Sequence, residues 1–346
     1  MVVALIYLKS ILIPIVIAIL FAVAVEPLVR FLTKRNFNRG LASMLGVLSI
    51  LVVFLSLSYI IFVQIGKLSS RQELITEKMS YYNNKIIKRV STNELGEKLV
   101  KVYQKEITTE EYLSSIFNNA SGSINASFDF LINLVLIPIY MFFFLMYPKF
   151  FLKSILKTLE AFDRTEFSEM IDSSQKALQS YFAGMAKVIG ILAILNSAGL
   201  LVLGIEDAIF YGILASVLSV IPYIGIFIGS LLPAFIALIT KDSAWYSVGV
   251  LAWMSLVQIL EGNFITPKVI GKQININPFM VLLFLLIAGK IWGVPGLIVA
   301  IPMAAVFKEI CGYVPGLKPL CMLMGTFPEE QKSQRVSSKV QLDGAA

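Results

Sequence analysis

Gln258, Glu261 and Asn263 stand close together at the end of an otherwise apolar stretch, and Pro267 follows them. A spacing of three puts Gln258 and Glu261 one turn apart on one side of a helix. A carboxylate held near hydrocarbon is costly unless paired or neutral, roughly 2.5–3.5 kcal/mol for an Asp at midspan on insertion scales. That cost predicts a use, with Gln258, Glu261 and Asn263 lining a solute or ion path and Glu261 coupling an ion. The competing reading makes Glu261 a hydrated interfacial residue at a helix end. Lys290, inside the apolar run between Leu283 and Val299, is the natural opposite charge for Glu261 or an anion-attracting group, unless it snorkels to the surface. Asn196 and Asn133 also interrupt apolar runs; interhelical hydrogen bonding is the preferred reading for both, with solute contact the alternative.

Such residues need elements that hold them at membrane depth, and two glycine- and proline-bearing interruptions offer them. The first is Ile221-Pro222-Tyr223-Ile224-Gly225, and the second runs from Gly289 through Gly293 and Gly296, with Pro302 further on. As one straight helix, residues 208–240 would be about 50 Å long, too much for one bilayer without strong tilt. The sequence therefore predicts a break or hairpin at Pro222 and two half-helices meeting near Gly293. Backbone groups freed by such breaks must be satisfied by protein or water, so irregular backbone in a membrane normally lines a cavity. The alternative is a pair of kinks packed against neighbouring helices.

Composition sets the class. The chain is 57% hydrophobic and 15% charged, where a soluble domain carries about 25% charged residues; mean hydropathy is +0.81. Leu41 to Ile65 contains no charged residue and is long enough to span ~30 Å of hydrocarbon. Seven or eight stretches qualify as crossings, which predicts an all-α polytopic membrane protein. The net charge of +7 falls mostly in loops beside helices, where it sets topology and meets anionic lipid, so nucleic acid is not the expected partner. With no histidine, a His-based metal site and an unshifted imidazole relay are both excluded. No cofactor is indicated. Cys311 and Cys321 read as free thiols. An HExxH motif, a Walker A loop and a G-x-S-x-G elbow are all absent from the sequence, which disfavours an enzyme and ATP-driven pumping.

Charge then orients the chain. Arg30, Lys34, Arg35 and Arg39 mark a cytoplasmic loop after a first run that is expected to end at Glu26-Pro27. Residues 1–65 read as N-terminal transmembrane helices and 66–127 as an extracytoplasmic helical insertion. Within it Leu68, Ile75, Met79, Tyr82, Ile86 and Val90 form one helical stripe, and Thr108 with Glu111 fits a capping box. Residues 128–147 cross again. Residues 148–180 form a cytoplasmic amphipathic helical loop, with Lys149, Lys153 and Lys157 facing an anionic leaflet. Residues 181–310 are the transmembrane core with broken helices, and 311–346 a cytoplasmic tail whose end is disordered. Counting crossings back from Arg30 puts the N-terminus outside, so that either a first helix is missing ahead of this sequence or it enters only as the stub Val2 to Leu8. Tyr59, Tyr147, Trp245 and Tyr246 read as interfacial anchors.

Taken in order, Ile221-Pro222-Tyr223-Ile224-Gly225, Gln258-x-x-Glu261-x-Asn263-x-x-x-Pro267, Gly271-Lys272, Pro278, Gly293-x-x-Gly296 and Ala300-Ile301-Pro302 resemble the C-terminal signature of the autoinducer-2 exporter family of bacterial permeases. Pro14, Glu26-Pro27 and Arg39 extend the likeness over nearly the whole chain. The resemblance implies a multi-pass bacterial inner-membrane protein of usually eight helices, a homo-oligomer, and ATP-independent efflux of a small hydrophilic molecule. In some branches it implies sodium or lithium exchanged for protons. Three functions follow as expectations: a secondary transporter exporting a small polar solute with H+ or Na+ as coupling ion, a monovalent cation/proton antiporter, and a non-transporting scaffold assembled through the Leu68 to Val90 stripe.

Overall fold

The computed structural model describes residues 5, 7–70, 72–90, 128–158, 163–222, 224–269 and 276–325. Among them the secondary structure is helical throughout. The first helices are α1 (Lys9–Lys34), α2 (Arg39–Ser70), α3 (Gln72–Val90), α4 (Phe128–Met146) and α5 (Pro148–Thr158). The second half comprises α6 (Arg164–Val202), α7 (Ala208–Leu218), α8 (Ile224–Thr240), α9 (Trp245–Leu260), α10 (Thr266–Val269), α11 (Pro278–Trp292), α12 (Val294–Tyr313) and α13 (Lys318–Met324). Five helices are long and apolar enough to cross a membrane, and α4 with α5 adds a pair bent by 80°. The chain is a polytopic all-α membrane protein. Large apolar residues on its outer surface, among them Val52, Val53, Leu55 and Phe62, face the solvent in which they are stable, namely lipid.

Two sequence boundaries move. Glu26-Pro27 does not end the first helix, because α1 continues to Lys34. Pro27 has no N–H to give the carbonyl of Val23, one turn earlier. Gln179 of α6 supplies the missing donor, its side-chain Nε2 lying 3.3 Å from that oxygen. Glu26 is buried, and Oε1 takes Arg30 at 3.1 Å and Arg39 at 3.7 Å. Arg39 also donates from Nε to the carbonyl of Leu145 at 3.0 Å, satisfying one of the carbonyls that a helix C-terminus leaves open. Likewise Ser180 marks no change of structure: α6 runs unbroken through it for 39 residues, about 58 Å. Its length comes from an apolar face, including Phe167, Met170, Leu178, Val188 and Leu192, that stays in register with its neighbours well outside the hydrocarbon.

The C-terminal third contains two helical hairpins. In the first, α7 turns back along α6 and α8 returns along α7. Gly212 sits against Ser197, Gly229 against Ala215 and Gly225 against Leu218, pairs that run in opposite directions as antiparallel helices require. At 11 and 17 residues, α7 and α8 are about 16 and 25 Å long, short of a full crossing. The hairpin has its tip at Ser219–Pro222, and its length is what a re-entrant pair would have. Sidedness is the same as for two crossings, because it enters and leaves on the Val202 side. The second hairpin is α11–α12, turning at Gly293, where φ is 65° and ψ is −138°. That region of backbone space favours glycine. Pro302 lies inside α12, which continues through it to Tyr313, so it is not a break. Tyr223, Gly271, Lys272, the Thr108–Glu111 box, the side chain of Asn133 and the terminal tail lie outside the described residues.

Candidate functional site

Both hairpin tips reach similar depth along α6. Pro222 lies ten residues beyond Gly212, which places it about 20 Å below the Val202 end of α6. Ser173 Oγ and Tyr313 OH are 3.2 Å apart, so the start of α12, 20 residues back, lies about 30 Å further along α6 than Ser173. The two tips thus agree in height to within one or two turns. Gln258 comes to the same level. Trp253 of α9 donates from its indole N–H to the Leu195 carbonyl at 3.2 Å and packs against Gly199, which fixes α9 antiparallel to α6.

At the first tip there is a cavity of about 290 Å³ between α6, α7, α8 and α9. Its walls carry Asn196 from α6, Ser219 at the end of α7, Ser230 from α8, and Ser255 and Gln258 from α9, with apolar Leu192, Ile226, Met254 and Val257 between them. Asn196 is only 5% exposed. Its Nδ2 donates to Ser216 Oγ at 3.1 Å, and that hydroxyl donates to the Gly212 carbonyl at 2.7 Å. Its Oδ1 accepts no hydrogen bond from the described residues, a deficit that costs about 1–3 kcal/mol for a buried acceptor. Asn196 thus bridges two helices beside the cavity, with its Oδ1 enclosed in the packing. No charged group is among the described lining residues.

Gln258 links this cavity to Glu261. It lines the cavity, and its Nε2 donates to Glu261 Oε2 at 2.6 Å. Beyond Gln258 the helix widens into one π turn, Glu261–Ile265, in which the Thr266 N–H reaches back to the Glu261 carbonyl. Pro267, in α10, has no N–H for the α-helical bond to Asn263, and the wider turn accommodates its absence. Turns of this kind are frequent at functional sites. Asn263 is exposed and donates from Nδ2 to the Ile259 carbonyl at 2.9 Å, a local bond outside the cavity.

The likeness in sequence can now be stated with the geometry in view. The profile of the family described as AI-2E family transporter matches residues 1–316. The chain belongs to that family. It is 26% identical over 316 residues to YueF of Bacillus subtilis, covering 88% of this chain and 84% of that protein. Over 274 residues it is 26% identical to a transport-named protein of Borreliella burgdorferi, covering 77% and 73%. A third relative, sll0063 of Synechocystis, is 30% identical over 190 residues, covering 55% and 47%. The names of all three refer to transport and specify no solute.

Within this AI-2E family member the remaining sequence-derived residues fall apart from the cavity. Lys290, in α11, is exposed and pairs with no carboxylate among the described residues; the expected Glu261–Lys290 pair does not form, because Glu261 is engaged by Gln258 on its own helix. Gly296 is buried, and a Cβ there would overlap the Ala288 carbonyl, so it closes the second hairpin tightly. Ser219, Ser230 and Ser255 went unread in the sequence. Ser255 precedes Gln258 by three residues and shares its helical face, a signal that points to it.

Proposed function

We propose that this chain is a secondary transporter that exports a small hydrophilic solute across the bacterial cytoplasmic membrane, by alternating access around the cavity at the Pro222 tip. The observation that carries this reading is the cavity itself, an apolar-walled pocket at the Pro222 tip into which Asn196, Ser219, Ser230, Ser255 and Gln258 bring polar groups from four elements. A mostly apolar pocket with a few polar groups is the form a small-molecule site takes, and a hydrogen-bonding solute suits it. Glu261 stands one turn beyond the cavity and is joined to it by Gln258, the arrangement a coupling carboxylate needs. The absence of charge among the described lining residues favours an uncharged or weakly charged cargo over direct sodium coordination. On the opposite side α5 presents exposed Lys149, Lys153 and Lys157, which suit an anionic leaflet.

Flux into liposomes containing the purified protein, with candidate polar solutes and imposed proton or sodium gradients, tests the proposal. Saturable flux that responds to one gradient is expected, and Glu261→Gln should remove the response while the protein still inserts. Wild-type flux no greater than that of empty liposomes for every solute and gradient would overturn the transport reading. Unchanged gradient dependence in Glu261→Gln would remove only the role given to Glu261.

A further inference from the structure

The structure contains a second polar cluster, at the opposite end of α7 from the cavity. Asp207, in the turn between α6 and α7, takes Lys67 Nζ on Oδ1 at 2.8 Å and Gln64 Nε2 on Oδ2 at 3.0 Å. The same Gln64 amide is 3.2 Å from the Tyr211 hydroxyl, one turn into α7. Gln64 and Lys67 lie one turn apart near the end of α2, so one face of α2 grips the base of the α7–α8 hairpin by three hydrogen bonds. Beyond α2 the chain folds into α3, which packs on α8, the other arm of that hairpin. Asp207 holds a left-handed backbone, with φ 52°. Aspartate and asparagine tolerate that conformation better than other side chains, which suits Asp207 to the tight turn at the hairpin base.

The cluster lies where two apolar packings meet. Near its start, α2 packs with α1 and α4 in one apolar cluster that includes Ala42 and Val47, while α7, α8 and α9 form another around Leu200, Tyr211 and Ala237. The α2 grip on Asp207 is a polar tie between the two, on the side where the hairpin enters. We propose that Lys67 and Gln64 latch the α7–α8 hairpin through Asp207 and Tyr211, and that releasing this latch opens the cavity to the extracytoplasmic side. This inference rests on the transport reading for its purpose, but not for its test.

The test is labelling, which requires no known solute. In a full-length protein with Cys311→Ala and Cys321→Ala, Ser219→Cys places a thiol on the cavity wall, and its reaction with a membrane-impermeant maleimide is followed from the Asp207 side of proteoliposomes. Lys67→Met, and separately Asp207→Asn, which keeps a residue tolerant of left-handed backbone, should raise the labelling rate at least about threefold. Lys67→Cys with Asp207→Cys, joined by a short reducible bifunctional linker, should suppress labelling at position 219, and reduction should restore it. Rates that stay equal in both point variants, or that ignore cross-linking and reduction, overturn the latch. Should a point variant fail to insert, the cross-linked protein alone decides. Because the rate is independent of flux, failure of the latch and failure of the transport reading are distinguishable.

Discussion

The two hairpins share a design and differ in outcome. Each turns at a glycine- or proline-bearing tip, each reaches similar depth along α6, and each brings glycine against a backbone carbonyl, Gly225 against Leu218 and Gly296 against Ala288. The Asn196–Gln258 cavity lies at the first, and the second is tightly packed where Gly289 and Gly296 meet their neighbours. At the second, Leu297 fills the space beside Gly289, and the Trp292 indole donates to the Leu5 carbonyl at 3.2 Å. An interrupted helix therefore does not by itself create a polar cavity. At the first tip Asn196 and Gln258 share the cavity wall with apolar Leu192, Ile226 and Met254.

The largest effect that would break this comparison is steric and applies to both tips. Gly225→Val and Gly296→Val each force a Cβ into main-chain atoms that cannot move aside, so both should lose several kcal/mol of stability. Loss of monodisperse protein in detergent, or a strongly lowered Tm, is the measurement. Gly190→Ala is the control, since nothing lies within 4 Å of a Cβ there; it should match or exceed wild type by about 0.5–1 kcal/mol.

Function should then separate the hairpins. Asn196→Leu and Gln258→Leu should lower solute flux at least about tenfold, the effect of losing one or two hydrogen bonds to a buried ligand. Lys290→Gln, on the second hairpin, should stay within about twofold. A large loss in Lys290→Gln with normal Gln258→Leu would move the site to the second tip. The smallest expected effect tests the joint between α1 and α6: Gln179→Ala leaves the Val23 carbonyl without its donor and should cost about 1 kcal/mol of stability, read as a modest fall in Tm with flux preserved.

Much of this architecture was legible because hydrophobic length and helix-breaking residues are local signals. The Leu41 to Ile65 crossing, the interruption at Pro222 and the bend at Gly293 each follow from the residues that form them. The end of α1 was misread because Pro27 is rescued by Gln179, a partner more than a hundred residues away that local reasoning does not see. That a single helix joins residues 164–180 to the apolar run after Tyr181 was not legible for a related reason, since the polar residues between Arg164 and Ser180 lower its hydropathy without interrupting its buried face. At the site, Gln258 and Asn196 were identified from their cost in an apolar run. Ser219 and Ser230 were not, because a serine in a helix bonds its own turn, as Ser219 does to the Ser216 carbonyl and Ser230 to that of Phe227, and so carries little penalty that would betray it. The pairing of Glu261 with Lys290 rested on charge alone, and the distance between α9 and α11 was not legible.

Helix α6 touches the base of one hairpin and the returning arm of the other, and it has no joint along its 39 residues. A stiff beam anchored in this way cannot tilt at one end without displacing the opposite end. A 10° pivot at its middle would sweep each tip by about 5 Å, comparable to the width of a small solute. Motion begun among the contacts of Ser173 with Tyr313 would thus arrive at Asn196 as a change in the shape of the chamber, carried by leverage.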